Sequence, residues 1–408
     1  MLNWLSQDGK LLLASRTLRT FAYGFVSIII AIYLRLLRFD DVRIGLLLTV
    51  SLLGGALFTV AVGFIGDKIG RRRTLTLLGV LMVLAGVVFA VTENYILLLL
   101  AALVGTINVT GTEVGPFLSM EQAIIPQTCD SRKRNTAFAL YSVVGGLAAS
   151  AGALFSRLTD FLMGGLGFDQ VSAFRIMFIL YSVAAAGSVA VYLLLSSSVE
   201  LSHKVSPTDE SRVRPAGGII ANLAALFGLD SFAGGFVLQS LVAYWFLIRF
   251  GTPLAELSNI FFASSILTAT SFLVAGRLAD KVGLINTMVF THLPSNVLLM
   301  LVPFAPNQSA AIGIYLARMS LSQMDVPTRQ SYVVAIMKPE ERALATSVTN
   351  VSRNVTQAIS PSITGSLLQS AALSSPFLLG GGLKIIYDIL LYLKFRSIKP
   401  SDERIFEI

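Results

Sequence analysis

Charge is scarce in this chain. Asp, Glu, Lys and Arg make up 13% of its 408 residues, about half the share of a typical soluble domain, while 54% are hydrophobic. Apolar runs recur along the whole length, so a water-soluble arrangement of two or three domains has nowhere to be placed. Cysteine is nearly absent, and Cys129 alone excludes an intrachain disulfide. With only His203 and His292 beside it there is no set of ligands for zinc, so no metal is expected. No Gly-rich loop ending in Gly-Lys-Ser/Thr is present to hold ATP phosphates, and neither His-Glu-x-x-His nor Gly-x-Ser-x-Gly supports a membrane hydrolase. No cofactor and no enzymatic activity are expected. The stretch Met1 to Ser15, with Trp4, Asp8 and Lys10, lacks a small-residue cleavage site and reads as an interfacial lead-in rather than a signal peptide.

What is present in quantity is apolar sequence in lengths that span a bilayer. The expected spans are 15–35, 43–66, 74–92, 95–125, 135–160, 171–195, 219–248, 254–275, 284–304, 308–335, 343–372 and 376–396. Loops rich in Lys and Arg (67–73, 130–134, 204–214, 277–281, 338–342 and the tail from 394) then all fall on one side, which the positive-inside rule makes cytoplasmic. The net charge of +8 is thereby explained by orientation, without a nucleic-acid partner. Both termini are expected in the cytoplasm, in a multi-pass protein of the cytoplasmic membrane. Trp4 and Trp245 fall at expected interfaces, as anchors.

The spans form an internal repeat. Phe21-Ala22-Tyr23-Gly24-Phe25-Val26 aligns with Phe232-Ala233-Gly234-Gly235-Phe236-Val237; Gly63, Asp67, Lys68 and Gly70 align with Gly276, Asp280, Lys281 and Gly283; Gln122 and Arg134 align with Gln330 and Arg342. Three similar offsets divide the chain into a six-helix bundle over 1–195, a polar linker over 196–218 and a second six-helix bundle over 219–408. The fold class is thus an all-α integral membrane protein, with twelve transmembrane helices in two pseudo-symmetric bundles.

The stretch from Gly63 to Arg73 carries four cations, Lys68, Arg71, Arg72 and Arg73, beside Asp67 in a glycine-bearing turn between two apolar runs. Here the chain resembles the major facilitator superfamily of secondary transporters, whose loop between the second and third helices reads Gly-x-Leu-Ala-Asp-Arg-x-Gly-Arg-Arg. Gly63, Asp67, Gly70, Arg71 and Arg72 match, and Ile65, Gly66 and Lys68 depart conservatively. The resemblance implies a solute site between the bundles near mid-membrane. It also implies a conformational latch of Gly63, Asp67, Gly70, Arg71 and Asp280, with Asp67 meeting the start of the helix near Ala343 and Asp280 that near Asn135. The second copy lacks the basic run, so the first is expected to matter more. Two family signatures are missing: a fourth-helix Arg found in many proton-coupled members, since Ala101 and its neighbours are apolar, and the fifth-helix Gly-Pro of drug/proton antiporters.

Ionisable residues inside spans are costly and mark pathways or partners. Those of interest lie on spans one, four, seven, ten and eleven. By the repeat, Arg19 is equivalent to Asp230 and Glu121 to Arg329. Equivalent positions of opposite sign lead us to expect crossed ion pairs forming an inner gate, with a fixed structural network as the alternative. Glu113, Asp325 and Asp230 are candidate proton carriers; for Asp325, an internal pair with Arg329 one turn away is the competing expectation. Asn350, Arg353, Asn354 and Gln357 recur at i, i+3, i+4 and i+7 and, with Arg318, make the second half cation-rich and suited to an anionic solute. The partner span carries Gly145, Gly146, Ala148, Ala149 and Gly152, a row for close helix packing. These features point to a monomeric secondary transporter embedded in lipid, working by alternating access: first, proton-coupled export of a small organic compound; second, uptake of an anionic nutrient; from another class, a membrane sensor or lipid-handling protein on the same fold.

Overall fold

The computed structural model of the protein describes residues 4–111, 115–130, 133–200, 217–337 and 341–398. Sixteen α-helices run through them: α1 (Gln7–Leu36), α2 (Asp41–Ile69), α3 (Arg71–Val91), α4 (Tyr95–Val104), α5 (Pro116–Ile124), α6 (Arg134–Phe155), α7 (Leu158–Gly164), α8 (Gln170–Leu193), α9 (Gly217–Gly235), α10 (Gln239–Phe250), α11 (Leu254–Val282), α12 (Leu284–Leu301), α13 (Gln308–Leu321), α14 (Asp325–Ile336), α15 (Arg342–Gln369) and α16 (Ser375–Phe395). Helices are what a chain in hydrocarbon must form, because each satisfies its own backbone donors and acceptors. Among the described residues, nine helical stretches are long and apolar enough to cross a membrane, so this is an integral membrane protein. The other three expected spans fall on α4 with α5, α13 with α14, and α15, which are interrupted or polar. Large apolar side chains such as Phe64, Val91 and Leu194 stand exposed, as lipid-facing residues do.

The chain divides into two compact units, one of residues 1–209 and 238–262, the other of 210–237 and 263–408. In the first, α1 packs on α6 and α8. A Cβ added at Gly152 would lie 2.0 Å from the Phe21 carbonyl oxygen, and one at Gly24 would lie 2.2 Å from that of Ala149. These two glycines therefore let the backbones of α1 and α6 touch. Of the rest of the small-residue row, Gly145 lies under the Arg16 guanidinium and Gly146 meets nothing.

In the second unit the corresponding pair, α9 and α15, is joined by different chemistry. Ser352, Thr356, Ser360 and Thr364, one turn apart on α15, donate their hydroxyls to the carbonyls of Ala224, Gly228 and Phe232 on α9 and of Phe236 just past its end. Apolar side chains of α9, α12, α14 and α16, among them Phe227, Met288, Tyr332 and Tyr387, complete the core of this unit.

Several expectations are corrected. Helix α1 begins at Gln7, not near 15, because Ser6 Oγ accepts the Gly9 N–H at 3.2 Å as an N-cap. The span expected over 95–125 is not continuous. Asn108 Oδ1 accepts from the Thr110 and Gly111 N–H groups, Gly111 and Gly115 take φ of 75° and 119°, and Pro116 opens α5; each of these ends or restarts a helix. The spans over 219–248 and 308–335 are likewise interrupted, between α9 and α10 and between α13 and α14. Trp245 is no interfacial anchor: it is 1% exposed and packs edge-on against Phe246 and Phe250. Of the linker, residues 196–200 are held, with Ser196 N–H and Oγ and Ser198 Oγ all donating to the Asp8 carboxylate; residues 201–216 lie outside the described residues.

Candidate functional site: two buried charge clusters

The basic turn takes its shape from one glycine and two carboxylates. Helix α2 stops at Gly70, whose φ of 102° is open to glycine and costly for other residues. Asp67 Oδ1 accepts from Arg71 Nε at 2.8 Å, across one helical turn. Glu200 then places its carboxylate on the start of α3, accepting the backbone N–H of Arg71 at 2.7 Å and of Arg72 at 3.1 Å, where unpaired donors and the helix dipole favour an anion. Sequence reasoning passed over Glu200, although an acidic residue just after the sixth span was its signal. In the second unit α11 ends in the same way, at Gly283 with φ of 85°, and Asp280 is exposed one turn earlier. Gly63 and Gly276 have no close neighbour, so only the later glycine of each copy is required by backbone geometry.

In the first unit, Arg19 on α1 and Glu121 on α5 form a two-pronged ion pair, Nη1 to Oε1 and Nη2 to Oε2, both 2.8 Å. Neither side chain is exposed at all. Ser15, Tyr141 and Tyr192 donate hydroxyls to the same carboxylate at 2.9, 2.5 and 2.7 Å. The guanidinium lies 4.4 Å over the Phe117 ring. Both tyrosines were absent from the sequence-level list, because a tyrosine in an apolar run carries no signal that separates packing from hydrogen bonding.

In the second unit, Asp230 on α9 is held by Arg329 on α14 at 3.2 Å and by Lys384 on α16 at 2.5 Å. Arg329 also bonds Asp325, one turn earlier on its own helix, at 2.7 Å. Arg353 on α15 donates Nε to Ser231 at 2.9 Å. Arg318 on α13 is buried, with Nη1 on the Met319 sulfur and Nε without a hydrogen-bond partner. A second layer comes from α12 and α16, where His292 and Asn296 bond Asp388.

The four charges singled out by the repeat are all paired. Arg19 pairs with Glu121 and Asp230 with Arg329, so each finds its partner inside its own unit. Each pair joins the first helical segment of its repeat to the fourth, α1 to α5 and α9 to α14.

A family model described as Major Facilitator Superfamily matches residues 12–324 and, in a second match, residues 226–406. The chain belongs to this superfamily. It is 26% identical over 425 residues to the uncharacterized membrane protein YJR124C of Saccharomyces cerevisiae, covering 96% of this chain and 95% of that one. Solved structures of similar fold include the nucleoside transporter NupG (TM-score 0.74, 14% identity, 96% of this chain and 100% of that one). A D-xylose-proton symporter (0.73, 13%, 96% and 98%) and the human organic anion transporter MFSD10 (0.62, 14%, 94% and 98%) are also similar. At such identities the likeness is one of fold.

This major facilitator protein is therefore a transporter of some solute. Of its candidate residues, Glu113 lies outside the described residues. Asp325 is tied to Arg329, in line with the internal pair weighed for it. Along α15, Asn350 is exposed and Arg353, Asn354 and Gln357 are half-buried, while the hydroxyl face beside them packs on α9. Phe25 and Phe236 are buried in aromatic packing. A cavity of about 450 Å³ lies in the first unit, lined by Phe155, Arg157, Asp160 and Ala255 among others, and no candidate residue lines it.

Proposed function

We propose that this superfamily member is a proton-coupled secondary transporter of a small organic anion, working by alternating access. The observation that carries it is a charge imbalance. Arg318 and Arg353 sit in the second unit without an ion-pair partner among the described residues, beside a cluster whose carboxylates already have donors. For Arg318, which is kept out of water, the lack of a counterion is costly, and Arg353 beside the same cluster is half-buried; an anionic solute would supply the counterion. With them, Asn350, Asn354 and Gln357 offer polar contacts to the rest of the solute. Asp67, Asp280 and the turn around Gly70 and Arg71 serve as the conformational latch. The carrier acts as a monomer in the cytoplasmic membrane, termini inside. Export of a small organic compound and uptake of an anionic nutrient use the same machinery, and the sign of the coupling decides between them.

Counterflow in proteoliposomes tests this, with labelled carboxylates, a nucleoside and xylose, each with and without a pH gradient. Exchange of a carboxylate that falls at least tenfold in Arg318→Gln and Arg353→Gln is expected, since an anion's charge-assisted bonds are worth about 1.5–3 kcal/mol each. Exchange confined to the neutral solutes, and unchanged in both variants, would replace the anion with a neutral solute.

A further inference from the structure

His292 sits midway along α12 between carboxylates from two other helices. Its Nδ1 is 2.8 Å from Asp388 Oδ1 on α16, and its Nε2 is 3.9 Å from Asp230 Oδ1 on α9. Asn296, one turn later, donates to the other oxygen of Asp388 at 2.8 Å and lies 3.2 Å from Nδ1. Asp388 and Asn296 are wholly buried, and His292 and Asp230 nearly so.

With Asp388 ionised, its carboxylate only accepts hydrogen bonds, and a neutral imidazole donates to it by carrying its proton on Nδ1. Nε2 is then left 3.9 Å from a second carboxylate, that of Asp230. A proton added there puts an imidazolium between two carboxylates. Glu121 and Asp325, by contrast, are bonded to arginines.

The surrounding charges decide when that proton is welcome. Beside the imidazole stand Asp388 and the edge-on ring of Tyr387 from α16 and Asp230 from α9; Asp230 in turn is acted on by Lys384, Arg329, Arg353 and Arg318, and Arg329 is bonded to Asp325. Three carboxylates thus oppose four fixed cations before any proton binds. Protonating His292 raises the excess, and an anion on the two unpaired arginines lowers it. Each therefore favours the other, and reciprocally so.

We propose that the His292–Asp388 pair is a proton-binding site whose occupancy is linked to that of the solute anion, so that proton and anion travel together. The linkage rests on the transport of an anion proposed above; the proton site does not. In the step itself a proton from water adds to the Nε2 lone pair, and the imidazolium charge pairs with Asp230 Oδ1 at 3.9 Å. Lys384, bonded to the same oxygen, gives up part of its share. Such co-transport selects uptake along an inward proton gradient over export against it.

The test uses the full-length protein in lipid nanodiscs, labelled with 13C and 15N at histidine. The chain has two histidines, so His203→Gln leaves a single imidazole resonance. Between about pH 8 and about pH 5, where histidine changes charge, that resonance is expected to pass from neutral to imidazolium shifts, and to stay neutral in Asp388→Asn. A resonance fixed in one state without any change at the site, or one that titrates identically in Asp388→Asn, overturns the proton site. A second arm measures thermal stabilisation by methanesulfonate and benzenesulfonate, whose charge is constant over this window. Apparent affinity about 5- to 150-fold higher at the acid end, the usual span of coupling between sites, and no pH dependence in His292→Gln, are expected. Equal affinity at both ends overturns the linkage. A normal titration with no stabilisation by either sulfonate also overturns the linkage, and counts against the anion reading while the proton site stands.

Discussion

Glu121 accepts five hydrogen bonds, from both forks of Arg19 and from Ser15, Tyr141 and Tyr192. A carboxylate so fully satisfied stays charged without water, and its removal from one partner is what costs. Arg19→Ala should destabilise the protein by about 3–5 kcal/mol, because it leaves a buried charge unpaired; Tyr141→Phe should cost about 1.5–3 kcal/mol, the loss of one bond to a charged acceptor. Thermal unfolding of the detergent-solubilised variants checks both, and near-equal losses would mean that the pair does not dominate the cluster. The four charged residues were legible in the sequence because charge is rare there. Their partners were not, since an internal alignment shows which positions are equivalent and says nothing of which are neighbours. His292 was weighed only as a metal ligand, and its acid partner lies 96 residues away on the last helix.

At the scale of helices, the two units solve one packing problem in two ways. The α1–α6 contact depends on Gly24 and Gly152, where carbonyl oxygens occupy the space a side chain would need; the α9–α15 contact depends on four hydroxyls spaced one turn apart. Gly152→Val should prevent folding of the first unit, read as loss of monodisperse protein on size exclusion. Replacing Ser352, Thr356, Ser360 and Thr364 together with Ala should cost only about 2 kcal/mol, since hydrogen bonds between helices in membranes average about 0.6 kcal/mol each. A fourfold variant that fails to fold would show the ladder to be the main hold between α9 and α15. The glycine row was readable because small residues have one obvious use. The hydroxyl ladder was hidden beside the more conspicuous stripe of Asn350, Arg353, Asn354 and Gln357. The break after α4 did carry its signals, Asn108, Gly111, Gly115 and Pro116, which the apolar run around them outweighed.

For the whole molecule, the repeat has kept geometry and inverted charge: both copies end a helix in a glycine of positive φ, at Gly70 and Gly283, and both join a first-helix charge to a fourth-segment charge, with the signs exchanged. A crossed inner gate of Arg19 with Asp230 and Glu121 with Arg329 therefore requires the pairs within each unit to break first, an exchange of partners rather than a closing of vacant charges. If the two pairings lie close in free energy, a proton or a solute of modest differential affinity is enough to tip the exchange. Its test is the double substitution Arg19→Asp with Glu121→Arg, which preserves an ion pair in the first unit but gives both units the same polarity. If the pairs are only structural, the variant folds and retains a large part of its counterflow. If partners are exchanged during transport, like charges meet at the equivalent positions, and counterflow is expected to fall about tenfold or more for each 1.4 kcal/mol of repulsion in the exchanged state, while the thermal midpoint stays close to that of the wild type. Adding Asp230→Arg with Arg329→Asp restores opposite polarity and should restore counterflow. A fourfold variant that folds yet stays inactive would remove the gate and leave two independent structural pairs.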